Sequence, residues 1–230
     1  MFTTSPPFWS SGAFQSTYTR LLGTFPGSSL ADQSMYAIGN ATQTNGTVYD
    51  GYYEASHTPF GGYEYIEWRH SSLEILDATP WTIEFFFEAV EVTTDPASGT
   101  PVALINVGTH DVLVNLNGLV GGKNCIFIGR NVPGWSYTDT NDIFDSLTHH
   151  IAIVLRAGGT MDVYYDGARI LNAEPYSKKA PPYGFGFVQL GLSAGGDSVT
   201  FKHRGVRIRS DEFYTGASFT PPTVLEEVAP

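Results

Sequence analysis

The sequence predicts an all-β jelly-roll sandwich of two antiparallel sheets, and three observations predict it. Apolar and polar residues alternate with period two along several short segments, the spacing of side chains on a strand. Gly and Pro, 25 and 14 of the 230 residues, punctuate those segments at intervals of about 8 to 12 residues. No segment longer than about ten residues holds a 3.6-residue period, so long helices are not expected.

Residues 1–44 stand apart. Only Arg20 and Asp32 are charged there, and Phe2, Phe8, Trp9, Phe14, Tyr18, Phe25 and Tyr36 supply apolar surface without either period. This reads as an extended N-terminal arm. It is expected either to fold back on its own domain or to dock on another subunit, with Phe8, Trp9 and Phe14 as docking residues and Pro6-Pro7 limiting the entropy lost. The sandwich domain is expected over 45–222 and a short tail over 223–230.

Within the domain, Tyr63 to Trp68 mixes aromatics and charges as a strand does. Trp81, Ile83, Phe85, Phe87 and Ala89 share one face of a strand; Thr82, Glu84, Phe86 and Glu88 share the other, which is expected to be solvated. Further strands are expected at 101–107, 111–116 and 124–128, broken by Gly108 and by Asn117-Gly118. The run Ile151-Ala-Ile-Val-Leu155 suits a central strand. Gly158-Gly159 turns the chain into 161–165, and Asp166-Gly167 is a hairpin turn. Strands at 187–192 and 199–208 complete the set.

Composition bounds the function. A hydrophobic content of 42% excludes wholesale disorder. A net charge of −11 is wrong for binding nucleic acid or anionic lipid. Cys125, the single cysteine, is expected to be a buried inert thiol. The first residues carry no charged n-region and no apolar h-region, so no export signal is expected. No apolar run reaches the ~18 residues of a membrane span.

Several segments, in order, resemble the laminin-G-like and concanavalin A-like lectin/glucanase superfamily. They are Trp81-Thr82-Ile83-Glu84-Phe85-Phe86, Thr148-His149-His150-Ile151-Ala152-Ile153, Gly158-Gly159-Thr160 with Tyr164-Tyr165-Asp166-Gly167, and the closing segment. That segment runs Val206-Arg207-Ile208, Phe213-Tyr214-Thr215 and Phe219-Thr220-Pro221-Pro222. It is similar to the form found in tailed-phage particle proteins. Thr148 stands where the family usually has Trp, which implies a repacked core there, and Lys202 stands where a Gly is usual. The resemblance implies the jelly-roll fold; it does not choose among lectins, hydrolases and structural domains.

Catalytic chemistry finds little support. The superfamily's glucanases use paired carboxylates in a Glu-x-Asp-x-x-Glu type of motif, which this sequence lacks. Glu84 and Glu88 share a face but lie on the order of 13 Å apart along a strand. Glycoside hydrolysis needs about 5 to 9.5 Å. The six histidines form no His-Glu-x-x-His motif.

Two segments are candidate contact sites. The loop 132–145 carries Trp135, Tyr137, Asp139, Asn141 and Asp142, then Asp145. Aromatic rings stack on sugar CH faces, and amides and carboxylates pair with hydroxyls, so this is a candidate glycan site. The same oxygens could serve calcium, although Ile143 breaks the EF-hand pattern; no other cofactor is expected. The second segment gathers Lys202, His203, Arg204, Arg207 and Arg209. It reads either as charge balance within an acidic domain or, through Lys202, Arg204 and Arg207, as a contact to an acidic partner.

The expected function is therefore a non-enzymatic structural protein of a phage-like virion, as a head decoration, fibre or tail-associated subunit. It would be assembled in the host cytoplasm with other virion proteins and with copies of itself. The alternative is a carbohydrate-recognition module for surface polysaccharide.

Overall fold

The computed structural model describes residues 19–34, 39–57, 64–73, 80–92, 100–106, 111–120, 123–129, 135–138, 145–175, 186–191 and 199–226. Among these, strands dominate. In chain order they are β1 (Thr19–Gly23), β2 (Thr42–Thr44), β3 (Thr47–Tyr49), β4 (Tyr52–His57), β5 (Tyr65–His70), β6 (Trp81–Val92), β7 (Thr100–Asn106) and β8 (Asp111–Val120). There follow β9 (Lys123–Gly129), β10 (Trp135–Thr138), β11 (Thr148–Leu155), β12 (Thr160–Tyr165), β13 (Ala168–Pro175), β14 (Gly186–Leu190) and β15 (Val199–Arg209). Two short 3₁₀ turns, Pro26–Ser28 and Ser71–Leu73, are the only helical pieces among the described residues.

The strands form two antiparallel sheets. One runs β13-β12-β11-β6-β15-β4-β3, with β1 on β15 as its eighth strand; the other runs β10-β9-β8-β7-β14-β5-β2. The expected sandwich is present. The apolar run of β11 is central, between β6 and β12.

Alternation decides what fills the space between the sheets. The predicted inner face of β6 is buried, with Trp81, Ile83, Phe85, Phe87 and Ala89 at 1% exposure or less. Ile151, Ile153 and Leu155 of β11, Val163 of β12, and Phe201, Val206 and Ile208 of β15 join it. The facing sheet contributes Ile66 and Trp68 of β5 and Val188 and Leu190 of β14. In β15 the pairing with β6 slips between His203 and Gly205. This bulge lets Val206 and Ile208 keep to the core side, because an unbulged strand would turn them outward. Gly205 accommodates it with φ of 155°, which other L residues rarely adopt.

Four expectations are corrected. The arm does not extend over 1–44: from Thr19 onward the chain belongs to the sandwich. β1 pairs with the end of β15, Leu21 and Phe25 are fully buried, and Trp68 Nε1 donates 3.2 Å to the Leu30 carbonyl. Residues 1–18, with Phe8, Trp9 and Phe14, lie outside the described residues. Asn117-Gly118 does not break the strand; it sits inside β8, at an irregularity in the pairing with β9. The tail begins inside the fold, since Leu225 packs on Leu22 and Phe86. Finally, the outer face of β6 is not solvated: Thr82 and Glu84 are fully buried, and Phe86 and Glu88 nearly so. The closing segment 210–226 lies over Thr82, Glu84 and Phe86, and Lys202 and Arg204 cover Glu88.

The cover is fixed by hydrogen bonds. Thr82 Oγ1 donates 2.7 Å to the Asp211 carbonyl and accepts 3.0 Å from Phe213 N–H. Tyr164 Oη donates 2.8 Å to the Gly216 carbonyl. Tyr214 and Phe219 stack at 3.6 Å between centroids, and both join Tyr164, Ala152 and Val154 in an outer apolar cluster. At the Asp166-Gly167 hairpin, a Cβ on Gly167 would lie 2.0 Å from the Phe219 carbonyl oxygen, so the strap passes against a bare backbone.

Candidate functional site

The candidate glycan loop is only partly visible. Trp135 and Tyr137 lie in β10, the edge strand of the seven-stranded sheet, paired with Ile128 and Ile126 of β9. Asp139, Asn141 and Asp142 lie outside the described residues. Asp145 is described, and it turns away to protein partners: its carboxylate bonds His149 Nε2 at 3.0 Å and accepts 2.8 Å from Leu147 N–H. His149 Nδ1 lies 2.7 Å from Asp166, and its ring stacks on Tyr165.

The basic stretch is spent mainly on the outer face of its own sheet. Register pairs Arg207 with Glu84 and Lys202 with Glu88. Arg207 Nε donates 2.7 Å to Glu84, which also accepts from His150 Nε2 at 3.0 Å and Tyr214 Oη at 2.7 Å. Burial alone would raise the Glu84 carboxyl, but His150, Arg207 and Tyr214 outweigh it and hold it below the usual carboxylate range. Arg207 is itself buried, so it holds the closing segment rather than offering a docking contact; its Nη1 donates 2.7 Å to the Glu226 carbonyl. Burial likewise works to raise Glu88, and Arg204 and Lys202 bring it below the ordinary value. The expectation of charge balance therefore describes Lys202 and Arg207.

Arg204 differs. Its side chain is 41% exposed. It donates 2.8 Å from Nη2 to Glu88 and 3.2 Å from Nε to Thr148 Oγ1, and lies 5.5 Å over the Tyr52 ring. Tyr52 in turn stacks on Tyr49 at 4.7 Å, and Tyr49 is 40% exposed. Beside Arg204 opens a cleft of about 410 Å³ lined by Thr24, Gly51, Phe86, Thr148, Arg204 and 223–225. Its apolar wall is Phe86 with Val224 and Leu225, and Thr24, Thr148 and Thr223 share the lining with Arg204; the Thr24 hydroxyl bonds Gln33 and the Thr148 hydroxyl accepts from Arg204. Thr148, in place of the family's Trp, is thus exposed at the start of β11 and serves the cleft; no core repacking follows from it.

Sequence reasoning singled out Arg204 but missed its neighbours. The lining comes from six separate stretches of chain, so no spacing motif could announce it. Tyr49 and Tyr52 meet because β3 and β4 form a hairpin, and a turn signal at Asp50-Gly51 was the available hint.

Among the described residues, no group of three or more His, Cys, Asp or Glu side chains is placed to hold a metal ion, and no helix is long and apolar enough to cross a membrane.

No protein-family model and no curated protein matches the sequence. Solved structures do. The binding domain of Paraclostridial Mosquitocidal Protein 1 matches over 86% of this chain at a TM-score of 0.62 and 11% identity; the match covers 50% of that chain. The botulinum neurotoxin serotype D binding domain matches over 86% at 0.60 and 14%, covering 48% of that chain. This chain thus spans about half the length of those binding domains. Domain 4 of the extracellular GH43 arabinanase AbnA from Geobacillus stearothermophilus, solved with arabinotriose, matches over 84% at 0.54 and 13%, covering 93% of that chain. At these identities the likeness establishes the fold, a jelly-roll sandwich.

Proposed function

We propose that this chain is a non-catalytic carbohydrate-recognition module whose contact surface is the cleft beside Arg204. The observation that carries the reading is the joining, through Arg204, of a stacked aromatic pair, exposed Tyr49 and half-buried Tyr52, to a cleft lined by threonines and the guanidinium. Aromatic faces stack on the CH faces of a sugar while fixed polar groups select its hydroxyls. The arabinanase domain solved with arabinotriose, similar in fold, supports it. Glu84 and Glu88, the paired carboxylates on one strand face, are committed to ion pairs, which supports a non-catalytic role.

The test is a glycan array with the full chain, followed by Tyr52→Ala and Tyr49→Ala. The parent binds a glycan, and Tyr52→Ala lowers affinity at least ~10-fold, about 1.4 kcal/mol, with little change in Tm. Silence of the parent on a broad array overturns the reading. Loss in Trp135→Ala with full binding in Tyr52→Ala moves the site to the β10 edge.

A second reading keeps the same sandwich as a structural subunit of a phage-like virion. What favours it is the closing segment, whose phage-type sequence is the strap that seals the outer face. Imaging of purified particles with an antibody to this chain tests it; absence from every particle rejects it.

A further inference from the structure

The charge on the cleft has one sign among its described lining residues. Among its described lining residues Arg204 is the only charged side chain, the other polar side chains are threonines, and none is a carboxylate, in a chain whose net charge is −11. Arg204 is held rather than loose: Glu88, Thr148 and the Tyr52 ring fix it from three sides. Those contacts use Nε and Nη2, and Nη1 has no partner among the described residues. A guanidinium so oriented presents N–H donors in a fixed plane, the geometry that pairs with an oxyanion. Glu88 does not compensate it fully, because the same carboxylate also serves Lys202 at 3.3 Å.

We infer that the cleft takes a carboxylate-bearing sugar, a uronic or sialic acid unit, with its carboxylate on Arg204 and its ring against the wall of Phe86, Val224 and Leu225. This rests on the carbohydrate reading above and narrows it. A neutral sugar would make no use of the part of the Arg204 charge that Glu88 leaves uncompensated, and in a chain of net charge −11 an anionic ligand gains only where such a cation is held. The same geometry makes Glu88 a competitor for Arg204. Removing its charge frees the guanidinium, so Glu88→Gln gains affinity for an anionic sugar.

The experiment is titration calorimetry of the full chain with trigalacturonate and sialyllactose, each against its methyl ester, at low and high NaCl. The acids bind and the esters bind at least ~10-fold more weakly, a difference expected for losing a charge-assisted pair. Binding of the acids weakens as salt rises. Arg204→Gln loses at least ~10-fold and Glu88→Gln gains affinity for the acids. Thr223→Val, at an exposed lining residue outside the ion pairs, weakens binding and stands in should Arg204→Gln not fold. Equal binding of acids and esters overturns the inference and leaves the carbohydrate reading in place. So does a parent that ignores both acids yet binds neutral glycans on the array. A parent that binds no sugar in either experiment overturns both.

Discussion

Tyr214 Oη donates a 2.7 Å hydrogen bond to the carboxylate of Glu84, 130 residues earlier in the chain. Glu84 sits mid-sheet on β6, fully buried, and Tyr214 belongs to the strap that buries it. The bond therefore links the cover to the charge that most needs covering. Burial and the Glu84 charge push the Tyr214 phenol well above its ordinary range, so it stays a donor throughout the working pH range.

Tyr214→Phe keeps the stack on Phe219 and removes only this donor. A hydrogen bond to a buried charged group is worth about 1.5 to 3 kcal/mol. Urea unfolding is expected to show a loss of that size with an unchanged slope. A loss under about 0.5 kcal/mol, the range of ordinary surface substitutions, means the carboxylate is served well enough by Arg207 and His150.

Acid destabilises the sandwich through the outer face. Glu84, Glu88 and Asp162 are all held below their ordinary values: burial works to raise each, and cationic partners outweigh it. For Asp162 the leading partner is Arg156, with Ala173 N–H and Arg169 adding to it. A carboxyl depressed by folding contributes stability that is fully present above its unfolded pKa, near 4, and is lost as pH falls through the folded value. Tm is expected to hold steady down to about pH 5 and fall below it. Glu84→Gln is expected to flatten that fall; an equally steep fall in the variant would place the acid lability elsewhere.

His149 carries the opposite sign. Burial works to lower its imidazole, but Asp166 and Asp145 outweigh this and raise it above the ordinary value. A group raised by folding contributes stability that is fully present below its unfolded pKa, about 6.5, and is lost as pH rises through the folded value. His149→Gln is therefore expected to lose more Tm at pH 5.5 than at pH 9. The same loss at both values would show that the ring acts by packing on Phe87 and Tyr165 alone.

What was legible follows from how each element earns its place. β6, β11, β12 and β15 alternate or run apolar because they cross the middle of the sandwich, and burial selects every second residue. β2 and β3 are three residues each, too short to show a period. β1, Thr-Arg-Leu-Leu-Gly, pairs with β15 and shows no alternation, so nothing in its five residues marks the face of Leu21. The outer face of β6 misled for a different reason. Glu84 and Glu88 alternate with apolar residues as a solvated face does; the strap reverses that for Glu84, and Lys202 and Arg204 of β15 reverse it for Glu88, all more than a hundred residues later. The cleft needed the fold entirely, while Arg204 needed only its place in a basic run.

Ile153→Ala tests the part that was legible. Its side chain is fully buried between β6 and β12, and truncation there is expected to cost ~2 to 5 kcal/mol. A cost under ~1 kcal/mol in denaturant unfolding would make the central position of β11 untenable.

Deleting residues 1–30 is expected to unfold the domain, and the reason is arithmetic on buried side chains. The deletion removes Leu21 and Phe25, both fully buried, and Leu22, packed on Phe86 and Leu225. Losing large core side chains costs ~2 to 5 kcal/mol each. It also strips the backbone partners of β15 from Val206 to Arg209 and the Leu22 N–H that Asp32 accepts at 2.9 Å. Together these reach the about 5 to 15 kcal/mol that holds an ordinary domain folded. Circular dichroism melts of the 31–230 chain decide the matter. A folded, cooperative 31–230 chain would return β1 and Phe25 to the arm, and the domain would then begin after residue 30.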